Sequence, residues 1–294
     1  MVKTPTRKLA DMRMDNDDPR EKTASLREVH DYWDSHPLFS LESGEEQGSR
    51  EFFEQHSRLR EEVERYAMPM HEFDRHEGER VLDVGCGIGW LCEQFAKGQA
   101  RVFGADLTIT GVRLTRERLR ISGFSGEIIQ ANAESLPFED SAFDFLTSSG
   151  VLHHTPHPER AIQEIWRVLR PGGRAMISLY YRGVLLRNPV WPLTRAIVRR
   201  LGRRFPGRAG FAQVRRQDDL ARMYDGDQNP LGRLYTRGEA AALLAPLRLE
   251  RVEVHYFPKR FLPFGHRLPN WLFGVLDRHF GTMIYCLASK SRHE

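Results

Sequence analysis

The sequence predicts an α/β fold, a doubly wound and mostly parallel seven-stranded sheet, and three observations predict it. From Arg80 onward, short aliphatic runs alternate with helix-like stretches, the pattern of successive βαβ units. A glycine-rich turn, Asp83-Val-Gly85-Cys-Gly87-Ile-Gly89, follows the first such run and opens the first such helix. Two helix-like segments stand ahead of the first strand and place a helical cap in front of the sheet.

Taken in order, residues up to about Pro19 are polar and without period. Ser25 to Trp33 and Ser49 to Met68 read as helices; in the second, Phe52, Leu59, Val63 and Tyr66 recur at helical spacing and Pro69 marks the end. The Gly- and Ser-containing stretch between them reads as a loop. VLDV is a buried strand, Ile88 to Lys97 a helix, RVFGADL a strand and Ile109 to Ile121 a helix. GEIIQAN and FDFLTSSG are the third and fourth strands, His157 to Leu169 is a helix, and RPGGRAMISLYY is a turn and fifth strand. Thr236 to Leu244 reads as a helix, LERVEVHYF and GTMIYCLASK as the last strands. This divides the chain into a disordered tail (1–20), a helical cap (21–78) and one domain (79–294) with insertions at about 183–235 and 258–280.

With 294 residues, 40% hydrophobic and 29% charged, the chain can bury a core and is not disordered throughout. No run approaches ~18 apolar residues, which argues against an ordinary membrane-spanning helix. The first twenty residues lack an apolar stretch, so no cleaved secretory signal is expected. Three cysteines (Cys86, Cys92, Cys286) with no CxxC pair suggest neither a disulfide framework nor zinc. A reducing compartment, the cytoplasm, is the expected location.

Charge is unevenly placed. Arg182 to Arg216 holds ten Arg and no Lys, Asp or Glu, so the net +4 leaves −6 for the rest of the chain. Such a stretch suits an anionic partner, a membrane surface among them. A solvated insertion in a chain that prefers Arg, with only six Lys among 44 basic residues, reads equally well.

The glycine turn carries the chemistry. Glycines let the backbone turn sharply and approach a ligand, and the helix that follows offers free N–H groups. The spacing is GxGxG rather than the GxGxxG of dinucleotide sites, and Asp83 sits in the strand end. A carboxylate there repels a pyrophosphate but suits an ammonium or zwitterion. Asp106, seventeen residues beyond Gly89, ends the second strand, where it can accept hydrogen bonds from two ribose hydroxyls. The combination points away from NAD.

VLDVGCGIGWLCEQFA, GADLT, ANAESLPFEDSAFDFLTSSGVLHHT and RVLRPGGRAMIS resemble, in order and spacing, the motifs of class I S-adenosylmethionine-dependent methyltransferases. The nearest group is the one that includes ubiquinone/menaquinone C-methyltransferases and natural-product enzymes. The resemblance covers roughly Glu79 to Leu179 and implies the Rossmann-like fold of that family, with S-adenosylmethionine as cofactor. It implies that Asp83, Gly85, Cys86, Gly87 and Gly89 hold the methionine end and that Asp106 binds the ribose. Leu107 would lie against the adenine, Asn132 (more often Asp in the family) and Ala133 at its edge, and Ser149 below the sulfonium. Leu107 as plain core and Glu134 as a surface residue beside a turn stay open.

His154, after the fourth strand, is the candidate base, because histidine titrates near neutral pH; packing of one of the His153–His154 pair under the cofactor is the alternative. His157 completes an HHxxH pattern on a loop, a poor metal signature, and no metal is expected. Tyr32, His153 and Tyr181 are the candidate acceptor contacts, with Tyr180 as core an alternative; Tyr32 and Trp33 resemble the aromatic cap that closes over the cofactor in related enzymes, or form an ordinary helix stripe.

Val190, Leu193, Ile197, Leu201 and Phe205 recur three or four apart among arginines, which fits a membrane-lying helix, a lid or a dimer contact. Pro258 to Phe280 is rich in Phe, Leu and Trp, and reads as the roof of an apolar acceptor pocket or as an accessory helix. The expected function is methyl transfer to a small, lipophilic acceptor, with peripheral anionic membrane contact through 182–216 and no nucleic acid. Nucleic-acid methylation is the alternative, but SSGVLHH stands where an NPPY-like tetrad would be. A non-catalytic cofactor-binding protein is the third reading.

Overall fold

The computed structural model describes residues 24–38, 44–201, 209–257 and 267–292. The tail at 1–20, with Arg203, Arg204, Phe205, Phe261, Leu262 and Phe264 of the two insertions, lies outside the described residues. Seven strands form one sheet: β1 (Arg80–Val84), β2 (Arg101–Asp106), β3 (Glu127–Gln130), β4 (Phe143–Ser149), β5 (Leu169–Tyr180), β6 (Arg248–His255) and β7 (Met283–Ser289). Their order is β3-β2-β1-β4-β5-β7-β6, parallel from β3 to β5, with β7 antiparallel to both β5 and β6. The strand order reverses between β1 and β4, and the crevice beyond their carboxyl ends is where such sheets bind ligands.

The described helices are α1 (Leu26–Ser35), α2 (Arg50–Val63), α3 (Trp90–Lys97), α4 (Ile109–Ile121), α5 (Pro158–Val168), α6 (Trp191–Leu201), α7 (Gln217–Tyr224), α8 (Arg237–Leu243) and α9 (Asn270–Phe280). Both sheet faces are covered, so β1 is apolar on each: Val81 joins a cluster with Trp90, Phe95 and Phe145, while Leu82 and Val84 join Leu146, Ile162 and Ile165. Capping residues set several helix starts. Ser25 and Glu28 form a capping box on α1, Thr236 and Glu239 one on α8, and Thr108 caps α4.

Two boundaries differ from expectation. α2 stops at Val63 rather than Met68; the chain turns there to bury Ala67 and Met70 in the core, and Pro69 enters a short 3-10 turn (Met68–Met70). The RPGG segment is not a separate turn but an irregular start to β5, whose register against β4 shifts between Phe143 and Phe145.

The cap packs on α4. Arg118, 1% exposed, donates through Nε to Glu93 Oε2 at 2.5 Å and through Nη2 to Phe53 O at 3.4 Å and to Ser57 Oγ. Asp34 Oδ1 accepts from Thr110 N (3.0 Å), which ties the end of α1 to the start of the same helix. Polar contacts across α4 thus hold both cap helices.

At the far edge, His255 on β6 faces two carboxylates: Nδ1 lies 2.6 Å from Asp277 Oδ2 on α9, and Nε2 lies 2.8 Å from Glu253 Oε2. Burial by itself would lower its pKa, but the hydrogen bonds and charges of Asp277 and Glu253 outweigh burial and raise it. A raised folded-state pKa stabilises the fold fully below the unfolded value, and this stability is lost as pH rises through the folded value. The melting temperature is therefore expected to fall as pH rises above the usual histidine range, and His255→Gln should flatten that dependence. Superimposable pH profiles for the two proteins would show that the cluster contributes nothing to docking α9.

Candidate active site

β1 delivers Asp83 to the carboxyl edge of the sheet, and the chain then turns through Gly85, Gly87 and Gly89 at φ of 77°, 55° and 78°. At Gly85 a Cβ would stand 2.2 Å from a Val151 methyl, and at Gly89 it would stand 2.8 Å from Thr115 Cα. Glycine is required where this turn is pressed between the loop after β4 and helix α4. Gly85 N and Cys86 N donate to Ala105 O at 2.7 and 3.2 Å, and Gly87 N donates to Asp106 Oδ2 at 2.8 Å. Asp106 Oδ1 accepts from Thr108 N (2.8 Å) and Thr108 Oγ1 (2.7 Å). Three of a carboxylate's roughly four acceptor positions are thus in use before any ribose arrives. Burial raises the Asp106 pKa, against the pull of the Thr108 and Gly87 hydrogen bonds.

Asp83 is 2% exposed; its Oδ2 lies 3.5 Å from Cys92 Sγ, and its Oδ1 has no partner among the described residues. Burial pushes its pKa up to about 7, with the Arg60 charge pulling the other way. Arg60 comes from α2. It lies 3.1 Å from Glu64 Oε1, stands 5.1 Å from the Trp90 ring centroid and donates to Ser149 Oγ at 3.4 Å. An unpaired buried carboxylate oxygen with a guanidinium on the same cavity wall fits the ammonium and carboxylate of an amino-acid end, as in S-adenosylmethionine. The residues present fit that cofactor.

One cavity collects these groups. Its walls include Asp83, Gly85, Cys86, Gly87, Asp106, Leu107, Asn132, Ala133, Ser149 and His154. Gly89 is not on the wall; it is the N-cap residue of α3. Asn132 Oδ1 accepts from Glu134 N (3.0 Å), and Glu134 Oε1 from His157 N (3.0 Å), so Glu134 holds a loop together. The wall also contains Trp33, one of the two aromatics expected to cap the cofactor, and residues that the sequence did not nominate: His56 and Arg60 from α2, Trp90, and Leu26, Val29 and Leu38 from the cap. Nothing in the string SRLREEVER distinguishes Arg60 from Arg58 or Arg65; only the docking of α2 aims it inward.

The three expected acceptor contacts are not on this wall. Tyr32 is buried and donates to Asp225 O at 2.8 Å, while Trp33, next along α1, faces the cavity. His153 is buried with its ring centroid 3.9 Å from that of Tyr180. Tyr181 points to the opposite side from Tyr180, under the Arg187 guanidinium at 5.8 Å. For Tyr32 and His153 the next residue, Trp33 or His154, lines the cavity instead, whereas neither Tyr181 nor Tyr180 reaches it. No described residue of either insertion lines the cavity. The expected lid acts indirectly, and the described part of the expected roof, α9, packs on β6 instead.

His154 does reach the wall, but both ring nitrogens are engaged. Nδ1 lies 2.5 Å from Leu231 O, and Nε2 lies 3.1 Å from Asp225 Oδ2, which also accepts from Tyr180 Oη at 2.5 Å. A carbonyl only accepts, so Nδ1 carries a proton, and Nε2 is turned to a carboxylate. In this arrangement both ring nitrogens face oxygen atoms of the protein rather than the cavity.

The Asp83 carboxyl destabilises the unliganded fold wherever it must ionise. Its pKa in the fold exceeds the unfolded value, so stability falls as pH rises from about 4 to about 7 and the penalty is complete above that. Asp83→Asn is expected to stabilise the unliganded protein by a few kcal/mol at pH 8 and by little at pH 4. Denaturant titrations at both pH values check this, and equal shifts at the two would contradict it.

Residues 82–177 match a protein family described as a methyltransferase domain. Over 113 residues the chain is 39% identical to the ubiquinone/menaquinone biosynthesis C-methyltransferase UbiE of Yersinia pestis, a match covering 37% of this chain and 45% of that enzyme. The chain thus spans less than half the length of this relative. The fold is shared with a putative methyltransferase from Haloferax volcanii, solved in complex with the Trm112 methyltransferase activator, at a TM-score of 0.55 and 16% identity, covering 92% of this chain and 99% of that one. A second structure, of a SAM-dependent methyltransferase from Methanosarcina mazei, superposes at a TM-score of 0.53 and 21% identity, covering 76% of this chain and 97% of the other. The matched segment contains the glycine turn, Asp106 and β4, the parts that build the cavity, and over residues 82–177 the chain carries a methyltransferase domain.

Proposed function

We propose that this chain transfers a methyl group from S-adenosylmethionine to a small, lipophilic acceptor. The observation that carries the reading is the pairing, on one cavity wall, of the unpartnered Asp83 carboxylate oxygen with the Arg60 guanidinium. Bound S-adenosylmethionine supplies a methyl group already activated on a sulfonium. The chain's own task is then to position donor and acceptor and to exclude water. Asp83 and Arg60 would hold the two charges of the amino-acid end, Asp106 the ribose, and Leu107 with Ala133 the adenine. Leu26, Val29, Trp33 and Leu38 add an apolar wall from the cap, which suits an acceptor with little charge. The name of the Yersinia relative, a C-methyltransferase of ubiquinone and menaquinone biosynthesis, supports a quinone-like acceptor.

Calorimetric titration tests the donor half. Micromolar binding of S-adenosylmethionine and S-adenosylhomocysteine is expected, with none of NAD. Asp106→Ala and Arg60→Gln should each weaken that binding by about 2 kcal/mol, roughly thirtyfold, because each removes hydrogen bonds to a charged partner. Affinity unchanged in both variants would remove these residues from the cofactor site. Transfer of labelled methyl groups to hydroxylated aromatic and quinol acceptors tests the other half, and binding without any transfer would leave a cofactor-binding protein.

For an acceptor that must lose a proton, His154 is the candidate base. That role requires Nε2 to leave Asp225, so the base and the intact pair exclude one another. His154→Ala is expected to lower turnover about a hundredfold while leaving cofactor affinity unchanged. Normal turnover would assign His154 solely to holding Leu231 and Asp225 against the cavity.

A further inference from the structure

We propose that α6, together with the 3-10 turn before it (Val184–Leu186), is a docking face for an anionic lipid surface. A helix on a globular protein ordinarily turns its apolar stripe inward. α6 carries apolar side chains on its outward face as well. Trp191 is buried, and Thr194 and Val198 are half-buried beneath the helix, while Leu193 is 65% exposed and Ile197 49%. One turn apart, these two side chains stand on the same outward face, and Arg200, two turns beyond Leu193, shares it. The preceding turn adds Val184 (49% exposed) and Leu185 (43%), and Trp191 N, bonded to Arg187 O at 2.9 Å, joins helix to turn. Several bulky apolar side chains exposed on one short stretch form the kind of patch that marks a docking site.

The charge around the patch says what it docks to. The segment from Arg182 to Arg216 has ten Arg and no acidic residue, on a chain whose remainder is net negative. Among the described residues, Arg195 donates to Arg215 O (3.4 Å) and Arg199 to Ala212 O (3.1 Å). Among the described residues, none of Arg187, Arg195, Arg199 and Arg200 pairs with a carboxylate. A basic helix with exposed Leu and Ile between its arginines matches a bilayer interface, where phosphate groups and acyl chains meet. Nucleic acid would use the arginines but gain nothing from Leu193 and Ile197, and among the described residues this face has no exposed aromatic ring on which a base could stack. A second copy would bring like charges together. Eleven residues span about 16 Å, too short to cross a bilayer but suited to lying in its surface, and no described helix is long and apolar enough to cross a membrane. The inference stands apart from the proposed reaction, since it concerns only the outer surface of the insertion.

Flotation of the full chain with phosphatidylcholine vesicles, with and without phosphatidylglycerol, tests it. Binding is expected only with the anionic lipid, and it should fall steeply as salt rises from about 0.1 to 0.5 M. Leu193→Ser combined with Ile197→Ser should lower vesicle binding at least tenfold. Arg199→Gln combined with Arg200→Gln should weaken it and flatten the salt dependence, with melting temperature unchanged in both double variants. No binding, binding indifferent to lipid charge, or wild-type binding by the Ser variant would overturn the proposal. So would a concentration-dependent dimer abolished by the Ser variant, or capture of an oligonucleotide without vesicle binding.

Discussion

The carboxylate of Asp106 is the hinge on which the rest of the molecule is arranged. It ends β2, takes the amide of Gly87 and so closes the glycine turn onto the sheet, and takes both donors of Thr108. Thr108 in turn caps α4, and the approach is so close that a Cβ at Gly111 would stand 2.7 Å from the Asp106 carboxyl carbon. α4 then carries Arg118, the buried cation that holds α3 and α2, and Thr110, which holds α1. One acidic residue at a strand end thereby sets the cofactor turn, the start of the next helix and, through it, the seat of the cap.

The interface between cap and domain is polar to an unusual degree. His56, Arg60 and Glu64 on one face of α2 are all buried, opposite Asp83, Glu93 and Arg118. Burial raises the Glu64 carboxyl against the pull of Arg60 and holds His56 well below the usual histidine range. His71 nearby is pushed down to about 3 by burial and by Arg60, so it is neutral at any working pH. Charges removed from water and incompletely paired are costly. Here they surround a cavity, so that cost is offset when a ligand of matching charge enters. Electrostatic preorganisation of this kind is what a site that must hold a zwitterion requires.

The two insertions act at one remove. The first supplies no described wall residue, yet Leu231 and Asp225 occupy both nitrogens of His154, while Tyr180 and Tyr32 reach the same Asp225. The loop after β4 is therefore held from outside the sheet, and a change in the insertion would be felt at His154. The second insertion is latched to β6 through the Asp277–His255–Glu253 cluster, away from the cavity.

The fold class and all seven strands were legible from the sequence alone, and nine of the ten residues it nominated for the cofactor share one cavity wall. These depend on local rules: alternation of strand and helix signals, glycine where φ must be positive, and an acid at a strand end. Tyr32 and His153 lie off that wall while the next residue along, Trp33 or His154, is on it, and Tyr181 lies off it together with Tyr180. Arg60 and His56 were invisible because their role comes from the docking of α2 onto a sheet that begins seventeen residues after it ends. The state of His154 was likewise undetermined until a segment more than seventy residues away supplied Asp225 and Leu231. Local chemistry specified the cofactor turn; which charges face it, and which side chains are left free to react, are properties of long-range packing that only the tertiary structure decides.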